Sequence, residues 1–254
     1  MHTYIHTYIH TYMQTHIHTY MHTHITCIHY ITLHCITLRY TTLNDITLHS
    51  ASLESYASIF KILQKIKPEE VYHLAAQSYV AYSFEDEFST FNTNISGTHY
   101  VLSAVKEFSD KLKFYFAGSS EMFGKTEEIP QNEKTKFHPR SIYGISKLAA
   151  YEITRNYREA YNMFACSGIM FNHESPRRGY EFVTRKISIG VAKIKLGLEK
   201  KISLGNINAR RDWGYALDYV EVMHKMLQND TPDDFVIGLS LIHISEPTRP
   251  ERIW

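Results

Sequence analysis

The chain has 254 residues, 44% of them hydrophobic and 21% charged, with a formal net charge of +1 at pH 7. That length and apolar fraction allow one large domain or two small ones around a sizeable core. A near-zero net charge gives no electrostatic basis for a nucleic-acid or anionic-membrane partner, and neither is expected. Three cysteines, Cys27, Cys35 and Cys166, are too few for a disulfide scaffold and suit a reducing, cytoplasmic setting. No apolar run approaches the roughly 20 residues of a membrane-spanning helix, and the start Met1-His2-Thr3-Tyr4-Ile5 lacks the order of a signal peptide.

In chain order, residues 1–43 form a low-complexity repeat. His-Thr-Tyr-Ile recurs from His2 to Ile9 and decays through Met13, Gln14 and Met21 into Ile-Thr-Leu units at Ile31, Ile36 and Ile46. A period of four residues matches no solenoid, whose units run to about 20 residues or more. A CATA tetranucleotide read in any frame gives His, Thr, Tyr and Ile in rotation, so translation through a microsatellite is the simplest account. The histidines could serve a metal only if a fold gathered spaced and mixed ligands; none is visible, and no metal site is expected. The β-branched and aromatic content favours extended structure, but the segment is expected to pack poorly on the remainder.

From residue 44 to 238 apolar residues take on structural periods. Leu53 to Ile66 places Ile59, Ile62, Leu63 and Ile66 at helical spacing, and Pro68 closes the helix. Val71 to Ala76 reads as a buried strand. A helix over Glu87 to Ser109 carries Val101, Leu102 and Val105 on one face. A strand over Lys113 to Ala117, a helix over Ser141 to Tyr161 and a strand over Phe164 to Phe171 follow. This alternation predicts an α/β fold, a doubly wound parallel sheet of Rossmann type, with ligands beyond the carboxyl ends of the strands. Residues 44–171 form the sheet domain and 172–238 part of a smaller substrate region. Residues 239–254 break the pattern, read like a translated sequencing adapter, and are left out of the fold.

Chemistry-bearing residues follow the strands. Tyr143-Gly144-Ile145-Ser146-Lys147 puts a phenol and an ammonium on one helix face; a neighbouring cation is expected to lower the tyrosine pKa toward proton exchange with a sugar hydroxyl. Phe116-Ala117-Gly118-Ser119-Ser120-Glu121 sets hydroxyls and a carboxylate just after a strand. Here the chain resembles the extended short-chain dehydrogenase/reductase superfamily, and the acid two residues after the hydroxyl marks its nucleotide-sugar 4,6-dehydratases. Such enzymes must move a C5 proton and expel the C6 hydroxyl, which an epimerase need not do. With Leu74-Ala75-Ala76-Gln77-Ser78, the run Phe171 to Gly179, Phe182 to Ile187 and Arg210-Arg211-Asp212-Trp213-Gly214, residues 44–238 closely resemble the GDP-mannose 4,6-dehydratase family. A dTDP-glucose dehydratase would show Thr-Asp-Glu at Ser119-Ser120-Glu121.

The resemblance implies roles. Ser119, Glu121, Tyr143 and Lys147 match the catalytic positions. Leu74, Ala75, Ala76, Gln77, Ser78, Lys147, His173 and Arg178 match contacts to NADP. Ser78, Asn172, Val183, Lys186 and Arg211 match the surroundings of GDP-mannose, the implied substrate, and relatives are homodimers or homotetramers. The implied reaction is a lyase reaction, giving GDP-4-keto-6-deoxymannose and water. The family's opening strand, Gly-x-x-Gly-x-x-Gly turn and helix have no counterpart, nor has the next strand with its arginines, so the first β-α-β unit is expected to be missing. Ser52-Leu53 stands for an Asp-Leu pair and Ser89 for a tyrosine. A non-catalytic remnant or oligomerisation module of the family, or another extended nucleotide-sugar epimerase or dehydratase, is the alternative.

Overall fold

The structure, a computed structural model, describes residues 28–33, 46–205 and 211–239. Expectations for the rest of residues 1–43, and for residues 240–254, lie outside the described residues. Ile28–Leu33 (β1) runs parallel to Ile46–Ala51 (β2), with Ile28 opposite Ile46 and Leu33 opposite Ala51. This differs from the expectation of a repeat standing apart. The Ile-Thr-Leu units alternate β-branched residues, which is strand chemistry, and the last unit leads directly into the globular region.

Ser55 then caps helix α1, Tyr56–Ile66, its side chain accepting from Ser58 N. The helix begins three residues later than expected and ends on Lys67 in the left-handed region. Glu70–His73 (β3) is shorter than its apolar run, because the chain leaves the ladder after His73. Next come the short helix α2, Glu87–Phe91, a π-helical turn over Asn92–Ser96, and α3, Gly97–Phe108. Lys113–Ala117 (β4), helix α4 (Ile142–Tyr161) and Ala165–Met170 (β5) match the sequence reading closely. Beyond them lie Asn172–Glu174 (β6), α5 (Val183–Lys195), Trp213–Tyr215 (β7), α6 (Ala216–Leu227) and Asp234–Ile237 (β8).

Strands β3, β4, β5 and β8 pair in that order, all parallel. Period-2 alternation sends neighbouring residues of one strand to opposite faces. Phe114 and Phe116 of β4 join a core with Leu63, Leu102, Val105 and Ala150 from the helices of one face. Tyr115 and Ala117 join a second core with Val220, Met223 and Leu227 of α6. Phe114, Tyr115 and Phe116 are at most 1% exposed, and each such ring contributes roughly 1.5–3 kcal/mol of transfer free energy. A strand buried on both sides defines a doubly wound sheet, and its carboxyl ends open onto the loops that begin at Leu74, Gly118 and Phe171.

Candidate active site

At the end of β4 the chain turns sharply. Ser119 Oγ accepts from Glu121 N at 3.3 Å, capping a one-turn 3-10 helix over Ser120–Met122. Opposite it, Ser141 caps α4 by accepting from Gly144 N at 3.0 Å, which sets Tyr143 in the first turn. Gly144 permits the approach of the two segments: a Cβ there would lie 2.7 Å from the carbonyl oxygen of Glu121. The sequence-predicted residues Ser119, Glu121, Tyr143 and Lys147 thus come together. Tyr143 stands near enough to Ser119 and Glu121 for both to bear on its ionisation. Lys147, a turn further along α4, donates from Nζ to Ala117 O at 2.8 Å and lies 5.1 Å from the centre of the Phe116 ring.

Burial dominates the electrostatics of this pair. Tyr143 is pushed up to about 12 by burial, with Glu121 acting in the same sense and Ser119 and Arg178 opposing it. Lys147 is pushed down to about 7, also by burial. The expected lowering of the tyrosine by its lysine is therefore not what this arrangement gives. The lysine is itself driven toward its neutral form, and its proton donation goes to a backbone carbonyl. The groups that lower Tyr143 are Ser119 and Arg178.

Around this centre stand the loop residues. Gln77 N donates to Asn94 Oδ1 at 2.8 Å, while Asn94 Nδ2 donates to Gln77 O at 3.0 Å and to Ser146 Oγ at 2.9 Å. Ser146 in turn donates to Tyr143 O at 2.8 Å. Asn94 therefore clasps the Leu74–Ser78 loop to the helix bearing Tyr143 and Lys147. The sequence reading missed it. Its signal was an asparagine inside a helical pattern, where such a residue competes with the backbone for hydrogen bonds, and it sits in the π turn, a feature frequent at functional sites.

His173 Nδ1 bonds Phe171 O at 2.9 Å, and burial, with Arg178, lowers the imidazole to about 4. Arg178 pairs with Glu174 at 3.2 Å and lies 3.5 Å from the Phe182 ring centre. Asn172 lies opposite Trp213 in the β6–β7 ladder, and Trp213 follows Arg211 by two positions. Val183 and Lys186 share a face of the first turns of α5, the valine 40% exposed. No hydrogen bond or ion pair among the described residues links these two side chains to the Tyr143–Lys147 cluster. Among the described residues, no group of three His, Cys, Asp or Glu side chains could hold a metal ion.

The donor set suits one half of a dinucleotide. In its ammonium form Lys147 has three N–H donors and spends one on Ala117 O, leaving two, the number that the vicinal hydroxyls of a nicotinamide ribose accept. The pyrophosphate half is different. Its backbone cradle requires a glycine turn at a helix N-terminus, and residues 1–96 contain no glycine.

A parallel sheet covered on both faces, with serine, tyrosine and lysine gathered at its carboxyl edge, defines a Rossmann-type protein of the extended short-chain dehydrogenase/reductase class. The family model described as GDP-mannose 4,6 dehydratase matches residues 16–245, and the chain belongs to that family. It is 55% identical over 187 residues to human GDP-mannose 4,6 dehydratase, covering 73% of this chain and 50% of that protein. To GDP-mannose 4,6-dehydratase of Vibrio cholerae it is 51% identical over 188 residues, covering 73% and 50%. The chain thus spans about half the length of the relatives it matches. A solved structure, RMD from Pseudomonas aeruginosa complexed with NADPH, superposes with a TM-score of 0.74 at 23% identity, covering 89% of this chain and 74% of the other, and shares the fold. No helix among the described residues is long and apolar enough to cross a membrane.

Proposed function

We propose that this chain carries the catalytic centre of a GDP-mannose 4,6-dehydratase, a lyase that converts GDP-mannose to GDP-4-keto-6-deoxymannose and water. The observation that carries the reading is Glu121, held by the Ser119 cap on its own N–H and close enough to Tyr143 to raise its phenol. A plain oxidoreductase needs only the hydroxyl, phenol and amine; the carboxylate is the additional group that dehydration calls for.

A bound NADP would supply hydride exchange, taking hydride from C4 of the sugar and giving it back at C6. Lys147 would orient its ribose, with Leu74, Ala75, Ala76, Gln77, Ser78, His173 and Arg178 around the rest. Tyr143 takes the C4 hydroxyl proton, relayed through Ser119, and the bound ligand's charge must offset the burial that holds the phenol up. Glu121 removes the C5 proton, made acidic by the neighbouring ketone, and passes it to the departing C6 oxygen; the proton held by Tyr143 goes to C5 as hydride returns to C6. Ser78, Asn172, Val183, Lys186 and Arg211 would surround GDP-mannose, the cations pairing with its pyrophosphate. The family reading also implies a cytoplasmic homodimer or homotetramer.

A second reading is favoured by the absence of glycine from residues 1–96: the chain as it stands is a non-catalytic member. The test is a chimera in which residues 44–238 replace the matching segment of the human relative. Formation of the 4-keto-6-deoxy product supports the dehydratase reading. A folded chimera that oxidises GDP-mannose without losing water, or does neither, overturns it.

A further inference from the structure

We infer that Tyr219 is a positioning residue for His173, its ring seated in the space that Gly214 leaves open. The inference rests on the reading of His173 as a cofactor-facing residue. In the parallel ladder of β6 and β7, Gly214 lies directly opposite His173. A Cβ on Gly214 would lie 2.2 Å from Tyr219 Cε2 and 2.9 Å from its Cζ and Oη, so any side chain there displaces the ring. Tyr219 reaches this gap from the first turn of α6, is 2% exposed, and stacks on the imidazole with centroids 4.8 Å apart and planes 27° apart.

Two constraints then fix the imidazole. The carbonyl of Phe171 can only accept, so His173 Nδ1 carries the proton at 2.9 Å and Nε2 is left as an acceptor. That bond sets the tautomer, and the stack sets the plane of the ring. With the imidazole lowered to about 4 by burial and Arg178, Nε2 stays unprotonated at neutral pH. An unprotonated ring nitrogen of fixed direction suits an amide N–H donor, the chemistry of a nicotinamide carboxamide. Core packing alone accounts for a buried Tyr219 but requires nothing of His173, and this difference can be measured.

The experiment is long-range nitrogen NMR on the full chain with labelled histidine, the His173 signals among the 16 histidines being identified by their loss in His173→Gln. In the unmodified chain, the Nδ1–H tautomer and ring protons shifted upfield by the tyrosine ring are expected. Tyr219→Phe keeps both. Tyr219→Leu, and Gly214→Ala with the tyrosine still present, lose the upfield shift and move the tautomer ratio by about tenfold, the scale of one hydrogen bond. A wild-type ratio in folded Tyr219→Leu and Gly214→Ala overturns the inference. Should those variants not fold, a lack of upfield shift in the unmodified chain overturns it equally. These readouts need no cofactor, so they are independent of the cofactor reading; that reading fails separately if NADPH at saturation leaves the His173 signals unmoved in the chimera described above.

Discussion

Lys147 and Tyr143 lie one helical turn apart, and burial drives each toward its neutral form. The lysine's fall from 10.5 to about 7 amounts, at about 1.4 kcal/mol per pKa unit, to roughly 5 kcal/mol of unfavourable charge burial. Its hydrogen bond to Ala117 O returns about 1–3 kcal/mol, so the residue is a net liability in the free chain. The pH dependence follows from the sign. Above 10.5 both folded and unfolded chains hold it neutral; as pH falls the unfolded chain is protonated first, so stability drops toward pH 7 and is level below. Lys147→Met should therefore raise Tm at pH 7, at about 2–4 °C per kcal/mol, and flatten the pH dependence between 7 and 10. Thermal unfolding at both pH values checks this, and a variant less stable at pH 7 counts against the charge-burial account.

Glu121 gives a kinetic counterpart in the chimera. Glu121→Gln keeps the shape and removes the base, so product formation should fall by about 10²–10⁴-fold while hydride transfer from C4 survives in a single turnover. Tyr143→Phe should suppress the transfer itself. Absorbance of the reduced cofactor in stopped flow, beside deuterium uptake at C5, separates the two; product at the parent rate from Glu121→Gln would reduce the acid to a loop residue. Ser119, Glu121, Tyr143 and Lys147 could be singled out from the sequence because they lie in two short segments that match a family motif. Asn94 left only the signal of a polar residue within a helix, and the pairing of Gly214 with Tyr219 left none, because each acts through a partner brought near only by the fold.

Among the elements, α4 carries the site and is tied to the last strand by a buried fork. Arg158 Nη1 and Nη2 donate to Asp234 Oδ1 and Oδ2 at 2.9 and 2.7 Å, and Tyr151 donates to the same carboxylate at 2.8 Å. The two charged side chains are 13% and 9% exposed. Breaking such a pair leaves an uncompensated charge and costs about 3–5 kcal/mol, whereas replacing both partners by apolar groups can be neutral. Asp234→Ala should lose stability on that scale in urea unfolding, and Arg158→Met with Asp234→Leu should recover most of it. Equal losses in both variants would refute a charge-based origin. The helix itself was legible from periodicity, as were β4 and β5. The three-residue strands β6 and β7 are too short to leave a pattern, and β1 and β2 lie on Ile-Thr-Leu units whose strand chemistry was legible but whose pairing was not. The sequence reading stopped short of α6, although Tyr219, Val220, Met223 and Leu227 carry a helical period.

At the scale of the whole molecule, the described strands form separate ladders: β1 with β2; β3, β4, β5 and β8 in the main sheet; and β6 with β7. The class requires a glycine turn feeding a helix N-terminus for the cofactor pyrophosphate, and the first glycine in this sequence is Gly97. On the proposed reading the Tyr143–Lys147 centre would hold a nicotinamide ribose, but the phosphates lose backbone donors. Charge-assisted hydrogen bonds contribute about 1.5–3 kcal/mol each, so losing two or three weakens binding by roughly two to six orders of magnitude. Calorimetric titration of the chain as it stands should show no NADP binding at micromolar concentration. The chimera, which regains the turn, should bind. If the chain alone bound NADP with a micromolar Kd, its residues before Gly97 would have to supply phosphate donors by a route other than a glycine turn, and the half-site account would fall.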